Sequence, residues 1–165
     1  MAKGPRYSVK FRRRRKGKTN YTKRKKLLAK GSPRLVIRKS NKLITTHITT
    51  YDKKGDKTSV FIRSDQLKKL GWKHSCKNLP AAYLTGLLIA TKALKANITE
   101  AIADLGLYDM VKGSKLFSAL KGAVDGGLKI PHDSKMFPSE ECITGKHISD
   151  EIAKDFEEIK NKVMK

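Results

Sequence analysis

The sequence is poor in the residues that stabilise small secreted proteins and metal-binding modules. Among its 165 residues there are two cysteines, Cys76 and Cys142, which lie far apart with no CxxC or Cys/His spacing. We therefore expect two reduced thiols, with neither a disulfide framework nor a zinc knuckle. No run approaches the roughly 20 apolar residues that span a bilayer, and arginines occupy the place of a secretory signal's apolar core. The sequence thus predicts a soluble, intracellular protein without a membrane partner.

Acidic residues are missing from the N-terminal part of the chain. Residues 1–42 contain 18 Lys and Arg and no Asp or Glu. Residues 1–80 hold 26 basic and 3 acidic residues, whereas residues 81–165 hold 12 of each, so the first half carries the whole net charge of +23. Such dense like charges repel one another, which favours a polyanionic partner such as nucleic acid. The alternative is a solvated tail, and an anionic membrane is disfavoured because the stretch has no apolar helical face.

The N-terminal half predicts an arm, a short helix and a β-meander. Residues 1–19 show no periodicity and predict an extended basic arm, while residues 20–30 predict a helix capped by Thr19 or Asn20 and stopped at Gly31. Runs rich in Val, Ile, Thr and Phe alternate with turn-forming residues, which is typical of hairpins. These three predicted antiparallel strands are 34–40, 43–50 and 58–63.

The middle of the chain predicts the main core helix and a crossover. Asn78-Leu79-Pro80 is a good helix start, and Asn97 suits the stop. The helix has an apolar stripe, at positions 84, 87, 88 and 94. Residues 101–105 predict a buried strand that the crossover lays parallel to an earlier strand. The expected fold class is therefore α/β (α+β), with a mixed sheet built on the meander plus the parallel strand, and helices on one face.

The C-terminal part predicts two further helices. Ser114 caps one, which ends at Gly126-Gly127, and an irregular loop follows over residues 132–144. A last helix from Gly145 has an apolar face that must pack on the domain or on a neighbour. Its members are Ile148, Ile152, Phe156, Ile159 and Val163. We expect three regions, namely a basic arm with a short helix, an α/β core, and a loop with a C-terminal helix: 1–31, 32–131 and 132–165.

Patterns that would indicate catalysis or metal binding are weak. Gly113-Ser114-Lys115 lacks the first glycine of a phosphate loop, so a helix cap is the better interpretation, although this helix start could touch an RNA phosphate. The four histidines show no ligand spacing. An RNA-modifying enzyme that uses Asp104 or His132 is the minor alternative, because no partner at a telling spacing supports it. We expect no catalytic residue, metal, cofactor or small-molecule substrate.

Arginines interleaved with aromatic residues predict an RNA-binding surface. The planar guanidinium suits bidentate phosphate contacts and stacking, and Tyr7, Phe11 and Tyr21 either stack on bases or anchor the arm to the protein. A general nucleic-acid coating protein is the alternative to a specific binder. The candidate RNA-binding residues are Arg6, Tyr7, Arg12, Arg13, Arg14, Arg15, Lys18, Tyr21, Arg24, Arg34, Arg38, Lys39, Lys42 and Arg63.

Several short motifs occur in a characteristic order along nearly the whole chain. They are Gly4-Pro5-Arg6-Tyr7, Arg12–Arg15, Thr19-Asn20-Tyr21, Pro33-Arg34-Leu35-Val36, Arg38-Lys39-Ser40-Asn41, Asn78-Leu79-Pro80-Ala81-Ala82-Tyr83-Leu84-Thr85-Gly86, Gly113-Ser114-Lys115 and Gly126-Gly127-Leu128-Lys129-Ile130-Pro131-His132. Each motif alone is weak, but their order is strongly specific. The chain resembles the large-subunit ribosomal protein eighteen family, archaeal and eukaryotic branch.

The resemblance implies a structural, RNA-binding constituent of the central protuberance of the large ribosomal subunit, located in the cytoplasm. It implies that the sheet and the N-terminal arm hold 5S ribosomal RNA. Other parts would touch the 23S-type RNA and neighbouring large-subunit proteins, including the other 5S-RNA-binding protein. The chain is shorter than eukaryotic members, which favours an archaeal source. These expectations agree with the charge distribution.

Overall fold

The computed structural model describes residues 4–164. Residues 1–3 and 165, the outermost residues of the predicted arm and of the predicted last helix, lie outside the described part. The elements follow one another in this order: α1 (Arg12–Arg15), α2 (Tyr21–Leu28), β1 (Arg34–Lys39), β2 (Ile44–Thr50), β3 (Lys57–Arg63), a 3₁₀ helix (Ser64–Leu70), α3 (Leu79–Lys95), β4 (Ile102–Asp104), α4 (Lys115–Asp125), a second 3₁₀ helix (Ser134–Met136), α5 (Glu140–Thr144) and α6 (Asp150–Met164).

A four-stranded mixed sheet in the order β3-β2-β1-β4 forms the centre of the fold. β1, β2 and β3 form an antiparallel meander, and β4 pairs parallel to β1 with Arg34 opposite Ile102. β4 reaches this position through α3, because a parallel pair needs a long crossover connection. The predicted α/β class, the meander and the crossover strand are confirmed.

Alternation along the strands separates the two faces of the sheet. Leu35 and Ile37 of β1, and Val60 and Ile62 of β3, belong to the apolar cluster that also contains residues of α3 and α4. Successive strand side chains point to opposite faces, so Val36 and Phe61 lie on the side away from these helices. We call that side the outer face. Since α3 and α4 cover only the other side, the outer face is where the arm and a partner can lie.

Two glycines let α3 and α4 cross with their backbones almost in contact. A Cβ atom on Gly86 would overlap the carbonyl oxygen of Ala119, and one on Gly122 would overlap that of Tyr83. Eleven of the 17 residues of α3 are buried, so this helix packs on more than one side. The predicted helix start is confirmed, since the Asn78 side chain accepts a hydrogen bond from Ala81 N at 2.9 Å. Leu94, part of the predicted stripe, is however 39% exposed.

The apolar face of α6 packs on the domain itself. Ile152, Phe156, Ile159 and Val163 join a second core cluster with Trp72 and residues of α3. Of the two predicted partners for this face, the domain itself and a neighbouring protein, the structure therefore shows the domain. Ile148 does not belong to it, because α6 begins only at Asp150 and leaves this side chain half exposed.

Two segments differ from the sequence-based expectation. The arm is not extended throughout, because Arg12–Arg15 form one helical turn, in which Lys16 N donates to Arg12 O at 3.1 Å. Arginine is a good helix former, so local propensity outweighs charge repulsion there. The irregular loop predicted over residues 132–144 is also partly wrong. It contains the second 3₁₀ helix and α5, whose residue Ile143 is buried in the second core cluster.

A buried ion-pair network joins β1 to β4. The Asp104 carboxylate accepts hydrogen bonds from Arg34 Nη1 at 2.9 Å, from Arg38 Nη2 at 3.1 Å and from Gly106 N at 2.9 Å. Arg34 is 2% exposed, so a charged group in this position needs such partners. Burial raises the pKa of Asp104, but the Arg38 charge, the Gly106 N–H and the Arg34 charge together lower it below its ordinary value.

The same network extends to α2 through a second carboxylate. Asp56, in the turn between β2 and β3, accepts from Arg34 Nη2 at 2.5 Å and from Arg24 Nη2 of α2 at 2.8 Å. Arg34 therefore has both terminal nitrogens occupied. Through it, the position of α2 depends on the pairing of β1 with β4.

We predict that Gly122→Ala destabilises the protein by about 1–3 kcal/mol, because the new methyl group forces α3 and α4 apart. Urea unfolding followed by circular dichroism measures the difference. Lys121→Ala, one residue earlier on α4, adds no group to the crossing and should change the free energy of unfolding little. Equal stability of Gly122→Ala and the wild type would contradict the close crossing.

Asp104→Asn should lower the free energy of unfolding at pH 7 by about 3 kcal/mol, because it removes one of the two carboxylates that compensate the buried Arg34 guanidinium, as well as the carboxylate partner of Arg38. The folded-state pKa of Asp104 is lowered from 3.8, so its contribution is complete above that value and is lost as pH falls through the folded-state pKa. The difference in the free energy of unfolding between the variant and the wild type should therefore be smaller at pH 3 than at pH 7. Asp65→Asn, which removes the exposed partner of Arg63, should cost less than about 1 kcal/mol.

Candidate nucleic-acid interface

Short polar contacts fix α2 against the sheet and so position the basic arm. The Asn20 side chain caps α2 by accepting from Lys23 N at 3.2 Å, which confirms one of the two predicted caps. Lys23 Nζ donates to Gly106 O, just beyond β4, at 3.0 Å. Together with the ion pair between Arg24 and Asp56, these contacts hold α2 against the body of the protein.

The arginines of α1 are exposed and have few protein partners. Arg13 Nε donates to Thr19 Oγ1 at 2.9 Å. In residues 4–164, no carboxylate forms an ion pair with Arg6, Arg12–Arg15 or Lys18. Residues 4–164 therefore leave the positive charge of these predicted site residues without a carboxylate partner.

The aromatic side chains of the arm both contact each other and stay open to solvent. Phe11 and Tyr21 meet edge to face with ring centroids 5.4 Å apart. Phe11 is nevertheless 74% exposed, Tyr21 38% and Tyr7 50%. The Phe11–Tyr21 pair therefore ties α1 to α2, while large ring surfaces remain available for stacking.

A small cavity of about 170 Å³ lies where the arm meets the sheet edge. Five basic side chains and one carboxylate, that of Asp104, line it. The basic residues are Arg13, Lys18, Lys23, Arg24 and Arg38. The structure thus brings together residues from the arm, α2 and β1 that are up to 25 positions apart in sequence, with the excess of positive charge that a phosphate group requires.

The predicted site residues on the strands differ in availability. Arg34 was predicted to bind RNA, but its guanidinium is buried between Asp104 and Asp56, so it is not available for phosphate. Arg38 is half-buried and partly engaged by Asp104, while Arg63 pairs with Asp65 at 2.6 Å. Lys39 Nζ lies 5.1 Å from the ring centroid of Tyr108. Lys42 is exposed in the turn between β1 and β2.

Two further residues of the outer face were missed by sequence reasoning. Phe61 is 49% exposed, and its ring centroid lies 6.2 Å from that of His47 on the neighbouring strand. Burial first, and then the charges of Arg38 and Arg34, lower the pKa of His47 although Asp104 opposes them, so the imidazole is neutral at pH 7. The signal that could have found Phe61 is strand alternation, because its neighbours Val60 and Ile62 face the core.

The two side chains considered for catalysis, Asp104 and His132, make contacts that stabilise the fold. Asp104 is held by two arginines with a lowered pKa, which makes it a poor proton acceptor. His132 Nδ1 lies 2.8 Å from Ile130 O, and its ring packs on Phe137. Within the described residues no three His, Cys, Asp or Glu side chains are grouped to hold a metal ion, and Cys76 and Cys142 are both free. None of the described helices has the length and apolar character needed to cross a membrane.

Comparison with known proteins identifies the family. Residues 5–103 and 96–133 match the family described as ribosomal large subunit proteins 60S L5 and 50S L18. The large ribosomal subunit protein uL18 of Methanoregula boonei is 50% identical over 149 residues, which cover 90% of this chain and 86% of that protein. The uL18 protein of Korarchaeum cryptofilum is 48% identical over 149 residues, which cover 90% and 76%.

These matches confirm the expected family and its place in the ribosome, where ribosomal RNA and other ribosomal proteins are the partners. They count against the minor hypothesis of an RNA-modifying enzyme, since both relatives are named as large ribosomal subunit proteins. The chain belongs to the uL18 family and is a structural constituent of the large ribosomal subunit.

Proposed function

We propose that this protein binds 5S ribosomal RNA and attaches it to the 23S-type RNA in the central protuberance. Neighbouring large-subunit proteins, including the other 5S-RNA-binding protein, would be its protein partners. The observation that carries the proposal is the group of arginines on α1, which form no ion pair within residues 4–164 and which the contacts of α2 hold beside the sheet. Family membership supports an RNA partner, and the charge cluster supports the arm as its main contact.

The helical turn of α1 determines how its arginines meet RNA. Consecutive residues of an α-helix project about 100° apart, so Arg12–Arg15 point in all directions around the helix axis. A single straight duplex would contact only part of this ring of charge. Folded RNA, in which several backbone segments lie close together, can neutralise all four guanidinium groups.

The cavity at the sheet edge provides a second part of this site. A phosphate seated there would meet charges from Arg13 and Lys18 of the arm together with Arg38 of β1. Such a contact would join the arm to the sheet in the complex. It fixes position rather than sequence, as phosphate contacts generally do.

The outer face supplies stacking surfaces. Phe61 and the neutral His47 present ring faces beside the basic side chain of Arg63, and unpaired RNA bases stack on such rings. Tyr7 offers a comparable surface on the arm. We infer that single-stranded or looped nucleotides lie on the sheet while the arm holds backbone.

The three regions of the chain have different roles in the proposed RNA binding. We propose that residues 1–31 hold 5S RNA together with the outer face of the core, residues 32–131. Residues 132–165 complete the body, which agrees with the packing of α6 in the second core cluster.

Replacing all four residues of Arg12–Arg15 by glutamine should weaken binding to cognate 5S RNA on the order of 100-fold at moderate salt, since four phosphate contacts are lost. The slope of log affinity against log salt should shrink in magnitude by about 3. Fluorescence anisotropy with labelled 5S RNA measures both quantities. The matched control replaces four exposed lysines outside the site, and it should bind within about twofold of the wild type. Its substitutions are Lys92→Gln, Lys95→Gln, Lys146→Gln and Lys154→Gln.

Competition with random RNA of equal length tests the specificity of the same complex. Cognate 5S RNA should displace the labelled probe far better than the random RNA. If the two compete equally, the protein is a general coating protein and the proposed function is wrong. If the arginine variant binds as tightly as the control, the arm is not the main contact.

Phe61→Ala should reduce the affinity for 5S RNA by about 1–3 kcal/mol, the typical loss for one stacked base. Because the ring is half exposed, the thermal unfolding temperature should change little. A Phe61→Tyr variant, which keeps an aromatic face, should bind nearly as well as the wild type. Unchanged binding by Phe61→Ala would remove the outer face from the proposed interface.

A further inference from the structure

A second basic groove, of about 580 Å³, lies where α3 and α4 begin. Its cationic side chains come from three separate elements: Lys39 at the end of β1, Lys77 before α3 and Lys115 at the start of α4. No carboxylate is found among the described residues that line it. The groove shares none of its lining residues with the cavity between the arm and the sheet edge. It is therefore a separate concentration of positive charge.

The three lysines are close enough to affect one another. Burial lowers the pKa of Lys115, and the charges of Lys77 and Lys39 lower it further. Lys39 is held in place, because its backbone oxygen accepts from Tyr108 Oη at 2.6 Å and its ammonium group lies over the Tyr108 ring. Like charges gathered in this way are unfavourable unless an anion occupies the space between them.

The start of α4 adds to the positive potential. Ser114 occupies the N-cap position, as predicted, yet its hydroxyl makes no capping hydrogen bond. Its Oγ is buried and has no hydrogen-bond partner within the described part of the chain. The first N–H groups of a helix have no intrahelical acceptor, and an uncapped helix start favours an anion. Ser118 Oγ donates to Leu79 O at 2.8 Å and so ties the starts of α4 and α3 together.

We propose that this groove binds the phosphate groups of an RNA strand, at a site independent of the arm. The inference rests on the proposed function only in taking RNA as the partner. Lysines act as point charges and suit a phosphodiester chain, and the groove is much larger than a single phosphate group. Gly113-Ser114-Lys115 also lacks the further glycine of a loop that encloses a nucleotide phosphate.

The double variant Lys77→Gln/Lys115→Gln tests the proposal in the full-length protein. The matched control is Lys92→Gln/Lys95→Gln, which removes the same charge at the opposite end of α3. Labelled cognate 5S RNA and labelled cognate large-subunit RNA serve as two separate probes. For at least one probe, the groove variant should bind on the order of tenfold more weakly than the control, with a salt slope smaller in magnitude by about 1.5. Equal binding of both probes by the two variants would overturn the proposal.

The two proposals fail in different ways. If the wild type binds 5S RNA no better than random RNA, but the groove variant still loses affinity for large-subunit RNA, the groove stands and the 5S assignment fails. If millimolar inorganic phosphate or ATP shifts the amide NMR signals of Ser114 and Lys115 while neither RNA depends on the lysines, the groove holds small anions and the RNA proposal is wrong.

Ser114→Asp separates binding from stability. A carboxylate at this N-cap can accept from the free N–H groups of α4, so the thermal unfolding temperature should rise. The same carboxylate competes with a phosphate and should weaken binding to the RNA probe that depends on the lysines. A variant that is more stable and binds that probe as tightly as the wild type would contradict phosphate binding at this helix start.

Discussion

Asp104 lies between Arg34 and Arg38, and this buried carboxylate is the constraint on which the arrangement of strands and arm depends. It joins β1 to β4 directly, and Arg34 extends the network through Asp56 to Arg24 on α2. An ionised group in the interior requires well-placed partners. The register of the parallel strand pair, the turn between β2 and β3 and the position of the arm are therefore determined together. The same ion pairs keep Asp104 unsuited to catalysis.

The regular elements followed well from sequence because their signals are local. Turn-forming residues separated the three strands of the meander, and the caps at Asn20 and Asn78 have the hydrogen bonds expected of them. The apolar face of α6 was recognisable from spacing alone, whereas its partners were not. The helical turn at Arg12–Arg15 was missed, since a run of like charges gives no apolar periodicity.

The site was less predictable because a sequence does not show whether a charged side chain points to solvent or into the protein. Arg34 and Arg38 are alike in sequence, yet one is buried and the other reaches the surface, and their shared partner Asp104 is distant along the chain. Phe61 could be assigned to the interface only once it was known which face of the sheet packs against the helices. The groove at the start of α4 could not be predicted because its lysines, Lys39, Lys77 and Lys115, lie far apart in sequence and meet only in the folded chain. The composition predicted a basic, RNA-binding surface, but the positions of the individual side chains depended on tertiary packing.

The arginines of α1, for which residues 4–164 supply no ion-pair partner, have opposite consequences for the free protein and for its complex. Added salt screens the repulsion between Arg12–Arg15 and the other basic groups, and so favours the compact free chain. The same salt removes the entropic gain from counterion release and weakens RNA binding. Ionic strength therefore moves the two states in opposite directions. Under the proposed function, RNA bound at low ionic strength neutralises these arginines and relieves the repulsion between them.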